Sequence, residues 1–207
     1  MEPYFIGITG GSASGKTSII RQLEAAFTSD ELTVVSQDNY YKDLHEHEPD
    51  EDGLINFDHP DAVNLDLLHA HLLQIKKGEP AAVREYTFNN PSVQMQKMVH
   101  YAPAPLVIVE GLFVYYKPEI RRLFQLKVFI EVEEHIKLVR RIRRDHADRG
   151  YGLDEILDQY VVNVAPMYRR YIEPYKFDAD VVIMNNAQAH IGTQVIINHL
   201  KYIIEHK

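Results

Sequence analysis

Short apolar runs alternate with amphipathic stretches along most of the chain. The runs "PYFIGIT", "LTVVSQ", "PLVIVEGLF", "LKVFIEV" and "ADVVIMN" are rich in β-branched and aromatic residues, and this pattern predicts buried strands. Other stretches, such as "TSIIRQLEAAF" and "QVIINHLKYIIEH", space their apolar residues as a helix does. A further helix is predicted to begin near Pro60 and to stop at Gly78. Strands that alternate with helices are typical of an α/β fold, here a parallel sheet covered by helices on both faces.

Three stretches depart from this alternation. "AAVREYTFNN" and "KMVHYA" flank polar residues and predict a small β-hairpin over residues 82–102. The acidic stretch from Asp43 to Phe57 predicts an exposed loop. "EHIKLVRRIRRDHADRG" predicts an arginine-rich helix, and the helix that follows it is expected to be interrupted at Pro166. We expect residues 140–165 to form a helical lid.

The composition is that of an ordinary globular protein with a single core. Of the 207 residues, 45% are hydrophobic and 25% charged, and no linker or repeat divides them, so we expect one domain over residues 1–207. The net charge of -8 argues against general binding to nucleic acid or to an anionic membrane. The absence of cysteine fits a cytoplasmic location. No apolar run is long enough to predict a transmembrane span.

The segment "GGSASGKT" follows the first predicted strand and precedes the first predicted helix. Its Gly-x4-Gly-Lys-Thr spacing matches a phosphate-binding loop, in which backbone N–H groups close around phosphate oxygens. Lys16 would reach the β- and γ-phosphates as a catalytic residue, and Thr17 would bind Mg²⁺. A glycine-rich turn with a chance lysine is the alternative, but the flanking strand and helix favour the loop. The predicted nucleotide-binding residues are Gly10, Gly11, Ser12, Ala13, Ser14, Gly15, Lys16, Thr17 and Ser18.

Two carboxylates follow or end predicted strands. Asp38 comes directly after "LTVVSQ", and Glu110 closes "PLVIVE". Ligands of open parallel sheets collect at the carboxyl ends of the strands, so both side chains are placed near the phosphate loop. Asp38 could accept a proton from an attacking hydroxyl and help to hold a metal, or it could merely form a turn. Glu110 could bind Mg²⁺, or it could be a solvated strand end.

Five arginines are concentrated in the predicted arginine-rich helix and at its end. A charge run of this kind is most simply a solvated helix face, and a nucleic-acid patch is a second reading, although the net negative charge disfavours it. A third reading is a lid whose guanidinium groups stabilise the charge of a transferring phosphate. The residues concerned are Arg140, Arg141, Arg143, Arg144 and Arg149.

Taken together, these segments resemble the uridine kinase (uridine–cytidine kinase) family of P-loop kinases. The similar blocks are "GGSASGKTS", "SQDNYYKDL", "FDHPDAVNLDLL", "PLVIVEGLFVYY", "RRIRRDHADRG" and "DADVVIMN", in order and at similar separations over nearly the whole chain. The resemblance implies a P-loop NTPase-type sheet with the hairpin and the lid at the acceptor site. It also implies ATP, or GTP, as phosphate donor, Mg²⁺ as cofactor, and a homo-oligomer, often a tetramer.

The resemblance also implies roles for individual side chains. Asp38 corresponds to the general base for the ribose 5′-hydroxyl, and Asp58 to the carboxylate that binds the ribose hydroxyls together with Arg141. Arg144 and Arg149 correspond to the phosphate-facing arginines of the lid. The remaining predicted contacts with the nucleoside are Tyr41, Phe57, Tyr86, Phe88 and Gln159.

The segment that would read the base departs from the family pattern. Thr87 stands where aspartate is usual, Pro91 where a base-reading ring is expected and Val93 where arginine is common. Tyr151 replaces an arginine that often follows the lid helix. The resemblance as a whole makes a kinase of uridine or cytidine the leading hypothesis. The departures favour the alternative, a kinase of another small hydroxyl compound, such as a different nucleoside or a sugar phosphate. A nucleotide-binding switch that hydrolyses ATP slowly is a third hypothesis, from another functional class.

Overall fold

A computed structural model describes residues 2–43, 46, 56–86, 97–187 and 189–206, apart from the side chain of residue 148. Within these ranges the strands are β1 (Tyr4–Gly10), β2 (Leu32–Ser36), β3 (Ala81–Arg84), β4 (Met98–Tyr101), β5 (Leu106–Glu110), β6 (Leu126–Glu131) and β7 (Val181–Met184). The α-helices are α1 (Lys16–Glu24), α2 (Leu65–Lys76), α3 (Pro118–Arg121), α4 (Glu134–Arg149), α5 (Leu153–Gln159), α6 (Ala165–Tyr171) and α7 (His190–His206).

Five strands form one parallel sheet in the order β2-β5-β1-β6-β7. β1 and β5 lie inside the sheet and are buried on both faces, which explains why their sequences are apolar without alternation. The register places Glu110, the last residue of β5, beside Ser36 of β2 and Ile8 of β1. The predicted parallel sheet is confirmed.

Helices cover both faces of this sheet, each with its own hydrophobic core. On one face, the apolar side of α2 packs with Phe113 and Phe129. On the other face, α1 and α7 pack against β1, β5 and β6 through residues such as Leu23 and Leu200. Both layers follow from the three-to-four-residue spacing of apolar positions in the helices. No helix in the described part of the chain combines the length and the apolar character needed to cross a bilayer.

The predicted hairpin is present as a separate antiparallel pair, β3 and β4, which we call the acceptor hairpin. Its register joins Ala81 to Tyr101 and Arg84 to Met98. The residues between its strands that follow Tyr86, from 87 to 96, lie outside the described residues.

Two helix boundaries differ from the expectation. Pro60 lies in a short 3₁₀ turn rather than at the start of a helix, and α2 begins at Leu65, where the side chain of Asn64 accepts a hydrogen bond from the N–H of Leu67. Between α5 and α6 the chain forms a π-helical turn over Tyr160–Val164. Pro166 follows this turn within an unbroken run of helical backbone, where its missing N–H and its ring disrupt the hydrogen bonding to the preceding turn. The interruption is therefore the π turn before the proline.

Candidate functional site

A cleft of about 1620 Å³ lies at the carboxyl ends of the sheet strands. The loop after β1, the turn after β2, the end of β5, the acceptor hairpin and the lid helices α4 and α5 all contribute residues to its walls. Pockets for a single small ligand are usually about 300–1,000 Å³. The cleft therefore has room for a phosphate donor and an acceptor at the same time.

The loop after β1 has the backbone shape of a phosphate cradle. Ala13 and Gly15 have left-handed conformations, with φ of 61° and 92°. The Nζ of Lys16 donates to the carbonyl oxygens of Gly10 and Gly11, at 2.9 and 3.3 Å, and so lies along the loop. Because α1 begins at Lys16, the positive end of the helix dipole also points at this loop.

The predicted nucleotide-binding residues divide into two layers. Those that line the cleft are Ser12, Ala13, Gly15, Lys16, Thr17 and Ser18. Gly10, Gly11 and Ser14 are buried beneath them. There the carbonyl oxygen of Ser14 accepts a hydrogen bond from Nδ2 of Asn185, at 2.8 Å, just after β7. This contact holds the loop against the sheet, and the sequence analysis assigned Asn185 no role.

The turn after β2 brings Asp38 into the same cleft as Lys16. Asp38 is exposed to the interior of the cleft, and the cleft walls limit its contact with bulk solvent. Desolvation raises the pKa of Asp38, and the positive charges of Lys16, Arg149 and Arg144 oppose this rise. Desolvation likewise lowers the pKa of Lys16, and Glu110 and Asp38 oppose that fall. Lys16 and the acidic side chains of the cleft therefore each favour the charged form of the other.

Glu110 lies between the phosphate loop and Asp38. Its Oε1 accepts a hydrogen bond from the Ser36 hydroxyl at 2.5 Å, and the same hydroxyl oxygen accepts from the N–H of Asp38 at 3.4 Å. Desolvation raises the pKa of Glu110, the charge of Asp38 raises it further, and Lys16 opposes both. Ser36 thus links the Glu110 carboxylate to the backbone of Asp38 through one hydroxyl.

The donor set of this corner fits a magnesium ion. The Thr17 hydroxyl and the carboxylates of Asp38 and Glu110 line one cleft and offer the oxygen ligands that Mg²⁺ prefers. No group of three or more His, Cys, Asp or Glu side chains in the described ranges could hold a metal ion alone. A magnesium site here would need phosphate oxygens to complete it, as is usual for nucleotide-bound Mg²⁺.

Asp58 lies beside the phosphate loop on the acceptor side. Its Oδ1 is 3.8 Å from Nη1 of Arg141, which also donates to the Ser12 hydroxyl at 3.2 Å. Desolvation raises the pKa of Asp58, and the charges of Arg141 and Arg144 oppose the rise. The Asp58–Arg141 pair thus joins the turn that carries Asp58 to the lid and to the phosphate loop.

Three lid arginines converge on one buried carboxylate, that of Asp145, which is 2% exposed. Nε of Arg141, Nε of Arg144 and Nη1 of Arg149 lie 3.2, 2.8 and 3.4 Å from its oxygens. Asp145 was missed in the sequence, although its i,i+4 spacing from Arg141 and to Arg149 was a usable signal. A buried counter-ion of this kind keeps three like charges together where phosphate would bind.

The other two arginines of α4 behave differently. Nη2 of Arg140 donates to the carbonyl oxygens of Asn186 and Ala187, at 3.2 and 3.3 Å, which ties α4 to the segment after β7. Arg143 is exposed and does not line the cleft. Four of the five arginines therefore line the cleft, and Arg143 is exposed to solvent.

An aromatic wall closes the acceptor end of the cleft. The Tyr41 ring lies 5.2 Å from that of Tyr86 and 6.2 Å from that of Phe57, between ring centroids. The Tyr41 hydroxyl also donates to the Phe57 carbonyl at 3.2 Å. Gln159 lines the cleft from α5 and accepts a hydrogen bond from Asn163. Phe88, Thr87, Pro91 and Val93 lie outside the described residues.

Comparison with known proteins gives consistent matches. A family model described as "Phosphoribulokinase / Uridine kinase family" matches residues 5–191. The uridine kinase of Chloroflexus aurantiacus is 33% identical over 203 residues, which cover 98% of this chain and 97% of that protein. The uridine kinase of Oceanobacillus iheyensis is 36% identical over 204 residues, with coverages of 98% and 96%. The solved phosphoribulokinase of Rhodobacter spheroides shares the fold, with a TM-score of 0.66 at 18% identity over 88% of this chain and 70% of that one.

Replacement of Gly15 by alanine tests the phosphate loop. A Cβ at Gly15 would lie 2.3 Å from Nδ2 of Asn185, and the φ of 92° is strained for any side chain. We expect Gly15→Ala to weaken the binding of a fluorescent adenosine triphosphate analogue by tenfold or more, an estimate on the order of 1.4 kcal/mol. Gly78→Ala is the matched control, because its φ is 82° but nothing lies within 4 Å of the added Cβ. Equal affinity in the two variants would contradict the assignment of the loop.

Proposed function

The chain belongs to the phosphoribulokinase/uridine kinase family, and on that premise we propose that it transfers the γ-phosphate of ATP to the 5′-hydroxyl of uridine or cytidine. Family membership itself makes the chain a phosphotransferase that acts on a hydroxyl group of a small molecule. The observation that carries the finer proposal is the shared cleft, whose walls include Lys16, Asp38 and the Asp58–Arg141 pair. The hypothesis of a nucleotide-binding switch is wrong, because the relatives are kinases.

In the proposed reaction, Asp38 accepts the proton of the acceptor's primary hydroxyl. The hydroxyl oxygen forms a bond to the γ-phosphorus while the bond from that phosphorus to the β,γ-bridging oxygen breaks, and ADP leaves. The transition state is loose and places charge on the phosphoryl oxygens, so the protein acts mainly by positioning and by charge stabilisation. Lys16, Arg144 and Arg149 supply that positive charge. Thr17, Asp38 and Glu110 would hold Mg²⁺, which would supply neutralising charge for the phosphates.

The acceptor end of the proposal rests on complementary chemistry. A carboxylate accepts hydrogen bonds from both hydroxyls of a ribose, and Asp58 is held for this role by Arg141. The rings of Tyr41, Phe57 and Tyr86 offer faces against which a base can pack. Phe88 and Gln159 complete the predicted pocket. These roles, together with a homo-oligomeric, cytoplasmic enzyme and the use of GTP, stay predictions.

A second candidate acceptor follows from the sequence of the base-reading segment. Pro91 has no side-chain donor or acceptor and cannot hydrogen-bond to a base edge. Tyr151 lines the cleft where the family often has an arginine. Both substitutions favour another small hydroxyl compound, such as a different nucleoside or a sugar phosphate, with the phosphate half of the site unchanged.

A panel of acceptors decides between the two candidates. We expect uridine and cytidine to give radiolabelled monophosphates with labelled ATP and Mg²⁺, at rates well above acceptor-independent hydrolysis. Purine nucleosides, deoxyribonucleosides and pentose phosphates complete the panel. A product formed only from one of these other compounds would overturn the assignment to uridine or cytidine and retain the kinase.

Asp38→Asn tests the general base. The amide keeps the size of the side chain but cannot accept the proton, so we expect kcat to fall by roughly 10²–10⁴. ATP affinity, measured by calorimetry without an acceptor and without Mg²⁺, should stay within about twofold. Asp61→Asn is the matched control, because the Asp61 side chain is 81% exposed and does not line the cleft. A fully active Asp38→Asn enzyme would exclude Asp38 as the base.

The pH profile tests the environment of Asp38. The base works only when ionised, and desolvation raises its pKa, so activity should be lost on acidification at a higher pH than for an exposed aspartate. Arg149 lowers that pKa, so in Arg149→Gln the acidic limb of kcat/KM should move to still higher pH, whatever the loss in rate. Arg143→Gln, an exposed position on the same helix, should leave the limb in place. An acidic limb at the wild-type pH in Arg149→Gln would contradict this coupling.

A further inference from the structure

The side chain of Asn39 joins the turn that carries Asp38 to both strands of the acceptor hairpin. Its Nδ2 donates to the hydroxyl of Tyr101, at the end of β4, over 2.9 Å. Its Oδ1 accepts from the backbone N–H of Tyr86, two residues after β3, over 3.1 Å. One amide group therefore bonds to both sides of the hairpin: to the Tyr101 side chain of β4 and to the backbone beyond the far end of β3.

The position of Tyr86 depends on this contact. In the described part of the chain, the last backbone pair of the hairpin is the N–H of Glu85 with the carbonyl of Lys97, at 2.8 Å. The next N–H, that of Tyr86, leaves the hairpin and crosses to Asn39. A two-stranded hairpin is marginally stable by itself, so its placement is set by contacts with the rest of the protein.

The Tyr101 side of the span is anchored in the core. Tyr101 is 4% exposed and belongs to the hydrophobic core on the α2 face of the sheet. Burial raises the pKa of its hydroxyl, while the Asn39 side chain and the backbone of Ser36 oppose this rise. The hydroxyl therefore lies at the end of β2, where it provides a fixed point for the Asn39 amide.

The Tyr86 side of the span carries the aromatic wall. The ring of Tyr86 packs on that of Tyr41, and both line the cleft that contains Asp38. Asp38 and Asn39 are neighbours in one short 3₁₀ turn, Gln37–Tyr40. One turn of backbone and the Asn39 side chain thus connect the Asp38 carboxylate to the wall at Tyr86.

We propose that Asn39 is a positioning residue that fixes the distance from Asp38 to the Tyr86 wall, and thereby selects acceptors by the length between their reactive hydroxyl and their ring. The inference deepens the proposed function and rests on it. An acceptor whose ring packs against Tyr86 then has its reactive hydroxyl within reach of the Asp38 carboxylate. Loss of the span leaves both ends in place but lets their separation vary.

Asn39→Ala removes both hydrogen bonds and keeps the backbone turn. With the acceptor found in the panel, we expect the KM for that acceptor to rise about tenfold, the effect of roughly one lost hydrogen bond. The dissociation constant for ATP, measured without an acceptor, should not change. Asn39→Asp should restore a near wild-type KM, because a carboxylate can accept from both the Tyr86 N–H and the Tyr101 hydroxyl. Asn198→Ala, an exposed asparagine on α7, is the matched control.

Hydrogen exchange gives a measurement that needs no acceptor. In Asn39→Ala, the backbone amide of Tyr86 should exchange about tenfold faster, while amides of the parallel sheet keep their protection. Unchanged exchange at Tyr86 would overturn the inference, and so would an unchanged acceptor KM in an active Asn39→Ala enzyme. If the wild-type protein phosphorylates no compound of the panel, the proposed function fails instead.

Discussion

The register of three neighbouring parallel strands is the constraint on which the site depends. Glu110 ends β5 beside Ser36 of β2 and Ile8 of β1, so the three strands reach the same edge of the sheet together. The phosphate loop, the turn with Asp38 and the carboxylate of Glu110 follow directly from these ends. A shift of β5 by one residue would turn Glu110 to the other face of the sheet and remove it from the cleft.

Convergence at one edge concentrates charge in a poorly solvated place, and the site is arranged to offset that cost. Desolvation raises the pKa values of Asp38 and Glu110, whereas the charge of Lys16 lowers both. Desolvation lowers the pKa of Lys16, and the two carboxylates raise it. In the lid the signs are reversed, with three guanidinium groups around the single carboxylate of Asp145. Each group of like charges is thus held by an opposite charge.

Local signals in the sequence were sufficient for the elements and for the main cleft residues. Strand ends placed Asp38 and Glu110, and the glycine spacing placed Lys16, because each depends on residues close along the chain. The connecting amides could not be predicted in this way. Gln37 accepts from Phe113, Asn39 from Tyr86, and Asn185 donates to Ser14, over 76, 47 and 171 residues of sequence. Such partners become neighbours only once the sheet has formed. The role of Pro60 was not predictable either, because a proline suits the start of a 3₁₀ turn as well as the start of an α-helix.

The six residues from Ser36 to Tyr41 show how one short segment couples the two halves of the cleft. A 3₁₀ turn has three residues per turn, so successive side chains point about 120° apart and reach different elements. Ser36 contacts Glu110, Gln37 the backbone after β5, Asn39 the hairpin, Tyr40 His71 of α2 and Tyr41 the carbonyl of Phe57. Together these contacts hold the turn that carries Asp38 against both halves of the cleft. A change of acceptor that spares phosphoryl transfer is therefore best made beyond Tyr86, and Thr87, Pro91 and Val93, the positions that differ from the family pattern, all follow it in the sequence.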